Sequence, residues 1–288
     1  MNILLIRTKA GIEYASHIRD YIVSKGVNCF ITDVNSAESF IRSNGLTPEN
    51  TLIHSRTAGP VTNDKIADLE NAGFTVINPA KTLNLTSNKY LSQVHAEESG
   101  IPVAKTYKVD KTDVKKVREI LSRYGWVVLK PVFSQGQGVF CRKINADIGD
   151  TELAEIIQSV PGEEIQVQQF IDYEILIRVI VIGFKAVRDA TIYDLPDKDW
   201  KCSVCLNPKI KKYYEGTDAL FDLAEKTAKE FNAKVNFIDF FKDKKGDYIL
   251  NEINTACNLF FHEEASGVKI NELIGDFLIN QAGQLRKA

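Results

Sequence analysis

Val235-Asn236-Phe237-Ile238-Asp239-Phe240-Phe241, a polar turn Lys242–Asp247, and then Tyr248-Ile249-Leu250-Asn251-Glu252-Ile253-Asn254 form two apolar strand signals joined by a short charged connection. Residues two apart on a strand project from the same face, so Glu252 and Asn254 point together, and Asp239 can join them from the neighbouring strand. One alternative is an exposed sheet face where the three meet only water. The apolar neighbours Phe237, Ile238, Phe240, Ile249, Leu250 and Ile253 argue against it. Two carboxylates and an amide facing a core need a partner. Mg²⁺ bridging nucleotide phosphates supplies one suited to hard oxygen donors.

Upstream, Trp126-Val127-Val128-Leu129-Lys130-Pro131 reads as a strand, and Val139-Phe140-Cys141 as the return of a hairpin. Between them Ser134-Gln135-Gly136-Gln137-Gly138 puts small residues where backbone N–H groups can approach phosphate oxygens, with Lys130 adding a cation beside them. An ordinary two-glycine hairpin loop is the competing reading. The segment is neither a G-K-[ST] phosphate loop nor a G-x-G-x-x-G fingerprint. Further strands are expected at Ile165–Ile171, Ile175–Ile182 and Ala186–Tyr193, and helices near Asp218–Phe231 and Ile270–Gln281. Leu195–Tyr214, with two prolines and no clear period, is a candidate lid.

The first third alternates strand signals at Ile3–Arg7, Cys29–Asp33, Thr51–His54 and Phe74–Ile77 with helical ones near Tyr14–Lys25 and Asp64–Ala72. That is α/β layering. The first subdomain is expected to end near Leu85. Thr86-Ser87-Asn88 then offers N-cap chemistry to a helix running to about Ser99, which Gly100-Ile101-Pro102 stops, and a second helix spans Val114–Tyr124.

A chain of 288 residues, 44% hydrophobic and 26% charged, has room for two or three subdomains. No apolar run approaches the ~20 residues that cross a bilayer, and Met1–Arg7 looks like a first strand, so a soluble cytoplasmic protein is expected. A net charge of −2, with the lysines of Lys105–Lys116 and Lys242–Lys245 lacking aromatic interleaving, gives no reason to expect nucleic acid or membrane as partners. The cysteines Cys29, Cys141, Cys202, Cys205 and Cys257 are an odd, scattered set. Cys202 and Cys205 make a C-x-x-C, but without a second pair they read as ordinary thiols.

The order of these parts resembles the ATP-grasp superfamily, and within it the RimK-like glutamate ligases and the LysX-type amino-group-carrier ligases. The segments that carry the resemblance cover most of the chain. They are Val76-Ile77-Asn78-Pro79, Ser87-Asn88-Lys89-Tyr90, Gly100–Thr106, Val128-Leu129-Lys130-Pro131, Gln168–Ile171, Ile177-Arg178-Val179 and Leu250–Asn254. The implied fold is α/β with α+β parts. An N-terminal parallel-sheet subdomain would occupy 1–85, and a central ATP-grasp subdomain with the glycine flap 86–164. A C-terminal one with the metal site, 165–288, would complete the clasp around the nucleotide.

The implied activity is ATP-dependent carboxylate–amine ligation through an acyl phosphate, with Mg²⁺ or, in its place, Mn²⁺. Lys89 and Lys130, with Ser134, Gly136 and Gly138 of the flap, would contact the nucleotide phosphates. Gln168, Gln169, Phe170 and Ile171 would be the hinge that reads the adenine edge, and Glu174 the ribose ligand. Arg178 would face the transferring phosphoryl group as the catalytic cation, and Asp239, Glu252 and Asn254 would hold metal. Arg56 sits where relatives present an arginine to substrate, a surface arginine being the alternative; Ser203 and Asn207 are further substrate candidates. The partners would be a small-molecule, peptide or protein carboxylate and an amine, and the assembly a homodimer or homotetramer.

Several positions depart from the pattern. The family's D-x-R reads Leu176-Ile177-Arg178, and Thr191-Ile192-Tyr193 stands where relatives carry a second arginine. Ser203 and Leu206-Asn207-Pro208 replace an Asn and an Arg-Gly-Gly. Thr255-Ala256-Cys257-Asn258 replaces Ser-x-Pro-Gly. The nucleotide half is better preserved than the acceptor half. A small-molecule kinase and a non-catalytic nucleotide-binding module therefore stay open beside the ligase.

Overall fold

The computed structural model describes residues 1–8, 12–56, 59–133, 140–193, 200 and 211–285. The flap residues Ser134, Gly136 and Gly138, the substrate candidates Ser203 and Asn207, and Cys202 and Cys205 lie outside the described residues, as does most of the expected lid.

The described residues form three sheets. In the first, β1 (Asn2–Arg7), β2 (Asn28–Asp33), β3 (Thr51–Ser55) and β4 (Thr75–Ile77) run parallel in the order β2-β1-β3-β4. Buried on both faces, β1 and β3 read as the continuous apolar runs that parallel strands require. The order reverses between β1 and β3.

The second sheet is antiparallel, β5 (Thr106–Asp110), β8 (Glu164–Gln169), β6 (Trp126–Pro131) and β7 (Arg142–Asn145) in that spatial order. Its core takes Val127, Leu129, Ile165 and Val167 from the strands. Val117, Ile120 and Leu121 come from α6 (Val114–Tyr124), and Leu153 and Ile157 from α7 (Asp150–Ser159). Asp113 caps α6 by accepting the Lys116 N–H at 2.9 Å.

The third sheet runs β12 (Lys211–Tyr214), β11 (Ala190–Tyr193), β9 (Tyr173–Ile182), β13 (Val235–Asp243), β14 (Tyr248–Asn254), with β10 (Lys185–Ala186) pairing β9 alone. The hairpin of β13 and β14 is the one the sequence pattern shows. A bulge between Asp239 and Phe240 shifts its register.

One apolar cluster joins the first and third sheets: Ile3 and Leu5 of β1 meet Ile180, Val235 and Phe237, and Ile274 and Leu278 of the last helix, α10 (Ile270–Gln284). Asn78, wholly buried, fastens the same junction, donating to the Val235 carbonyl at 2.7 Å and accepting the Val235 N–H at 3.1 Å. α10 lies against α1 (Ile12–Ser24), where Tyr21 Oη donates to Asp276 at 2.8 Å.

Several elements differ from the sequence expectation. Thr86 and Ser87 end a helix, α4 (Ala80–Ser87), instead of capping the next one. Asn88 alone, in extended conformation, accepts the Leu91 N–H at 3.0 Å and starts α5 (Lys89–Glu98). The strand expected at Val139-Phe140-Cys141 begins at Arg142, Phe140 being in a turn. Lys211–Tyr214, assigned to the lid, is β12, whose ladder to β11 pairs Ala190 with Tyr214 and Tyr193 with Lys211.

Candidate functional site

Strand pairing lines up four polar residues in one row across the third sheet: Thr191 opposite Arg178, Arg178 opposite Asp239, Asp239 opposite Glu252. Directly opposed residues share a face, so the row is a consequence of register. Arg178 Nε and Nη2 donate to the two Asp239 carboxylate oxygens, each at 2.5 Å. Asn254, two residues beyond Glu252, donates from Nδ2 to Glu252 Oε1 at 3.1 Å. The hairpin reading brought Asp239, Glu252 and Asn254 together, and Arg178, which the resemblance alone supplied, joins them from β9.

From the other side come two lysines. Lys89, the first residue of α5, donates to Glu252 Oε2 at 3.4 Å, and its own backbone N–H is tied to the Val132 carbonyl at 2.9 Å. Lys130 at the end of β6 donates to Gln168 Oε1 at 2.7 Å. Lys89, Gln93, Lys130, Gln166, Glu252 and Asn254 line one cleft that opens to solvent.

Gln93 and Gln166 were not singled out from the sequence. Gln93 links the halves: its Nε2 donates to the Asn251 carbonyl at 2.8 Å, and its Oε1 accepts from Gln168 Nε2 at 3.3 Å. A glutamine on a polar helix carries no signal that would have marked it. Gln166 shows a two-residue spacing from Gln168 on one strand face. That pairing was the available cue.

The electrostatics divide sharply. Burial raises the Glu252 carboxyl, but Lys89, the Asn254 amide, Arg178 and Lys130 outweigh it and bring its pKa down to about 2. Burial holds Asp239 up to about 6, against the pull of Arg178 and with the push of Glu252. Both are charged at neutral pH. Burial lowers the Lys89 ammonium, yet Glu252 and its neighbours outweigh that and leave it raised. Lys130 ends lowered, by burial first, then by Lys89, with Cys141 and Glu252 opposing.

Among the described residues no group of three or more His, Cys, Asp and Glu forms a metal cage. Mg²⁺ does not require one, because it takes one or two carboxylates and completes its shell with water and phosphate. Two carboxylates of like charge on adjacent strands, with an amide beside them, fit that donor set.

The hinge expectation is changed in part. Gln168 is buried and acts through its side chain, fixing Lys130. The Gln169 and Phe170 N–H groups are taken by the Lys105 and Trp126 carbonyls at 2.8 and 3.1 Å, which leaves the Ile171 amide beyond the ladder. Lys143 Nζ stands 3.6 Å from the Phe170 ring centroid. Glu174 is exposed near the start of β9, on the same strand as Arg178 but outside the cleft lining. Arg56 is no surface arginine: 4% exposed, it stacks its guanidinium 5.6 Å from the Phe237 ring centroid. Tyr193, marked in the sequence only as part of a departure from the family pattern, has its ring 5.5 Å from the Arg178 guanidinium.

The chain resembles the coenzyme γ-F420-2:α-L-glutamate ligase of Methanocaldococcus jannaschii at 27% identity over 92% of this chain and 93% of that one. It resembles the α-aminoadipate–LysW ligase LysX of Sulfurisphaera tokodaii at 26% over 74% and 73%. Its fold matches a Chryseobacterium gregarium RiPP-associated ATP-grasp ligase, solved with ADP and a leader and core peptide, at a TM-score of 0.76, 16% identity and 97% coverage of both chains. No helix among the described residues is long and apolar enough to cross a membrane. Residues 86–278 match the RimK-like ATP-grasp domain, and the chain belongs to that family.

Proposed function

We propose that the protein is an ATP-dependent ligase that converts a substrate carboxylate to an acyl phosphate and passes the acyl group to an amine. The observation that carries this reading is the convergence in one cleft of two lysines from the central part with Glu252 and Asn254, Arg178 standing in the adjoining row. Phosphoryl transfer needs little else from a protein than positioning and charge. Relatives named as glutamate and α-aminoadipate ligases support it.

Asp239, Glu252 and Asn254 would hold Mg²⁺, or Mn²⁺ in its place. When bound, ATP supplies the phosphoryl group that activates the carboxylate, and the metal offsets charge on the transferring oxygens. Lys89 and Lys130 orient the phosphates, while Gln168 and Glu252 hold the two ammonium groups in place. Arg178, clamped by Asp239 through Nε and Nη2, keeps Nη1 for the reacting group. The amine nitrogen then attacks the activated carbonyl carbon, phosphate departs, and the nitrogen loses its proton to give the amide. Ser134, Gly136 and Gly138 are assigned to the phosphates, Gln169–Ile171 to adenine, Glu174 to ribose, and Arg56, Ser203 and Asn207 to substrate. The division 1–85, 86–164 and 165–288, a cytoplasmic location and a homodimer or homotetramer belong to the same proposal.

An acyl phosphate is an electrophile that a strong small nucleophile intercepts. With a carboxylate found by screening, ATP and Mg²⁺, hydroxylamine in place of the amine is expected to give a hydroxamate with stoichiometric ADP and phosphate. A stable phosphorylated product without free phosphate would replace the ligase by a kinase. ATP binding without any turnover across the screen would leave a nucleotide-binding module.

A further inference from the structure

Three side chains and a backbone carbonyl form one hydrogen-bond chain across the cleft, with Gln93 at its centre. Lys130 Nζ donates to Gln168 Oε1 at 2.7 Å, Gln168 Nε2 to Gln93 Oε1 at 3.3 Å, and Gln93 Nε2 to the Asn251 carbonyl at 2.8 Å. The chain runs from β6 and β8 of the second sheet through α5 to β14 of the third. Its direction is fixed by chemistry. An ammonium only donates and a carbonyl only accepts, so each amide between them has one orientation that satisfies every step. Thr106 agrees with it: its hydroxyl donates to the Ala104 carbonyl at 2.8 Å and accepts from Gln168 Nε2 at 3.1 Å. Gln93 and Gln168 are each 3% exposed.

The group that Gln93 reaches on β14 is a special one. Along the ladder with β13, Asp239 pairs with Glu252 and Phe240 with Leu250, so Asn251 is the extra residue of the bulge and has no partner on β13. A bulge leaves one residue outside the ladder and re-aims its neighbours. The carbonyl so released needs a donor from elsewhere, and Gln93 supplies it. The re-aimed neighbour is Glu252, whose carboxylate accepts from Lys89. Lys89 and Gln93 stand four residues apart on α5 and therefore share a face of it. That face holds β14 at two successive residues, by the backbone of Asn251 and the carboxylate of Glu252. The other end of the Gln93 amide holds Lys130 through Gln168. A side chain of this length that only filled space would be a leucine or a methionine, because burying an amide is unfavourable unless both its ends are bonded.

We propose that Gln93 is a positioning residue of the nucleotide site: it sets Lys130 through Gln168 and sets Glu252 by pinning the bulge, so that one side chain couples the grip on phosphate to the grip on metal. This rests on the reading of Lys130 as a phosphate contact and of Glu252 as a metal ligand.

The full chain is titrated calorimetrically with ATP in EDTA and again at saturating Mg²⁺, and the ratio of the two dissociation constants gives the contribution of the metal. Gln93→Met keeps the length of the side chain without its donor or acceptor. It is expected to weaken ATP about fivefold in EDTA, the size of one lost hydrogen bond, and to lower the contribution of the metal by a similar factor. A residue that merely supported the fold would give factors that multiply with those of a second change. Gln93→Met is instead expected to add nothing to metal-free ATP binding in a Lys130→Ala background, and nothing to the contribution of the metal in a Glu252→Gln background. Gln93→Asn keeps a buried amide one methylene too short to span both ends and is expected to act in the same direction. It decides the matter if the methionine variant does not fold. Wild-type ATP affinities in the Gln93 variants, or full multiplication in either background, would overturn the role and leave the nucleotide and metal readings standing. Absence of ATP binding by the wild type would remove those readings and the role with them.

Discussion

His54 makes the chain sensitive to acid, and the size of the effect follows from its surroundings. It is the fourth residue of β3, fully buried, with Nδ1 at 2.7 Å from the Ile77 carbonyl and Nε2 without a partner. The short contact makes Nδ1 the protonated nitrogen, donating to that carbonyl. Burial, then the charges of Arg56 and Arg7, depress its pKa from 6.5 to about 3, the bond to Ile77 opposing. The folded value lies below the unfolded one, so the unfolded chain binds the extra proton first. The stability held by neutral His54 is therefore present above pH 6.5 and is lost as pH falls toward 3. Each pH unit in that window costs about 1.4 kcal/mol, which makes the loss about 2 kcal/mol between pH 7 and pH 5. His54→Asn keeps an N–H in reach of the Ile77 carbonyl and cannot titrate. Urea unfolding of both proteins at pH 7 and pH 5 isolates the term, with wild type expected to lose about 2 kcal/mol more than the variant over the interval. Equal losses would refute a buried neutral His54.

Glu252→Gln and Asn254→Ala are each expected to reduce ADP formation at least about 100-fold while melting close to wild type, because these groups serve the cleft instead of the core. Unchanged turnover with native-like melting would remove them from the metal site. Lys130→Ala is expected to raise the ATP dissociation constant about tenfold or more, the worth of a charge-assisted contact held in place by Gln168. Equal affinity by calorimetry would release Lys130 from the nucleotide.

How much of this was visible beforehand depended on whether the residue's role was written in a local period. In the hairpin of β13 and β14 two apolar runs flank a short polar turn, and residues two apart on a strand share a face, so Asp239, Glu252 and Asn254 could be brought together from spacing alone. β5 could not: of Thr106–Asp110 only Val109 is buried, and a mostly exposed edge strand reads as a polar stretch. α4 and α7 start after Pro79 and Gly149 without a side-chain cap, so neither N-cap position carries the Ser, Thr, Asp or Asn that announces a helix start. Arg7 was hidden for a different reason. As the last residue of an apolar strand it looks like the usual solvated end, and only the packing of β1 beside β3 shows that it faces Arg56.

The acceptor-side departures acquire a physical sense once register is known. The position that reads Leu176 in place of the family's acidic residue, and Tyr193 in the stretch that replaces its second arginine, are cross-strand partners on β9 and β11. What stands at these facing positions is a packed apolar and aromatic contact: Leu176 and Tyr193 are both buried and share a cluster with Tyr173. Exchanging a buried ion pair for apolar partners of similar size is neutral or stabilising, whereas losing one member alone strands a charge. Arg178 remains clamped by Asp239 beside the Tyr193 ring. A reshaped surface around an intact Arg178, Asp239 and Glu252 row is what a change of substrate requires.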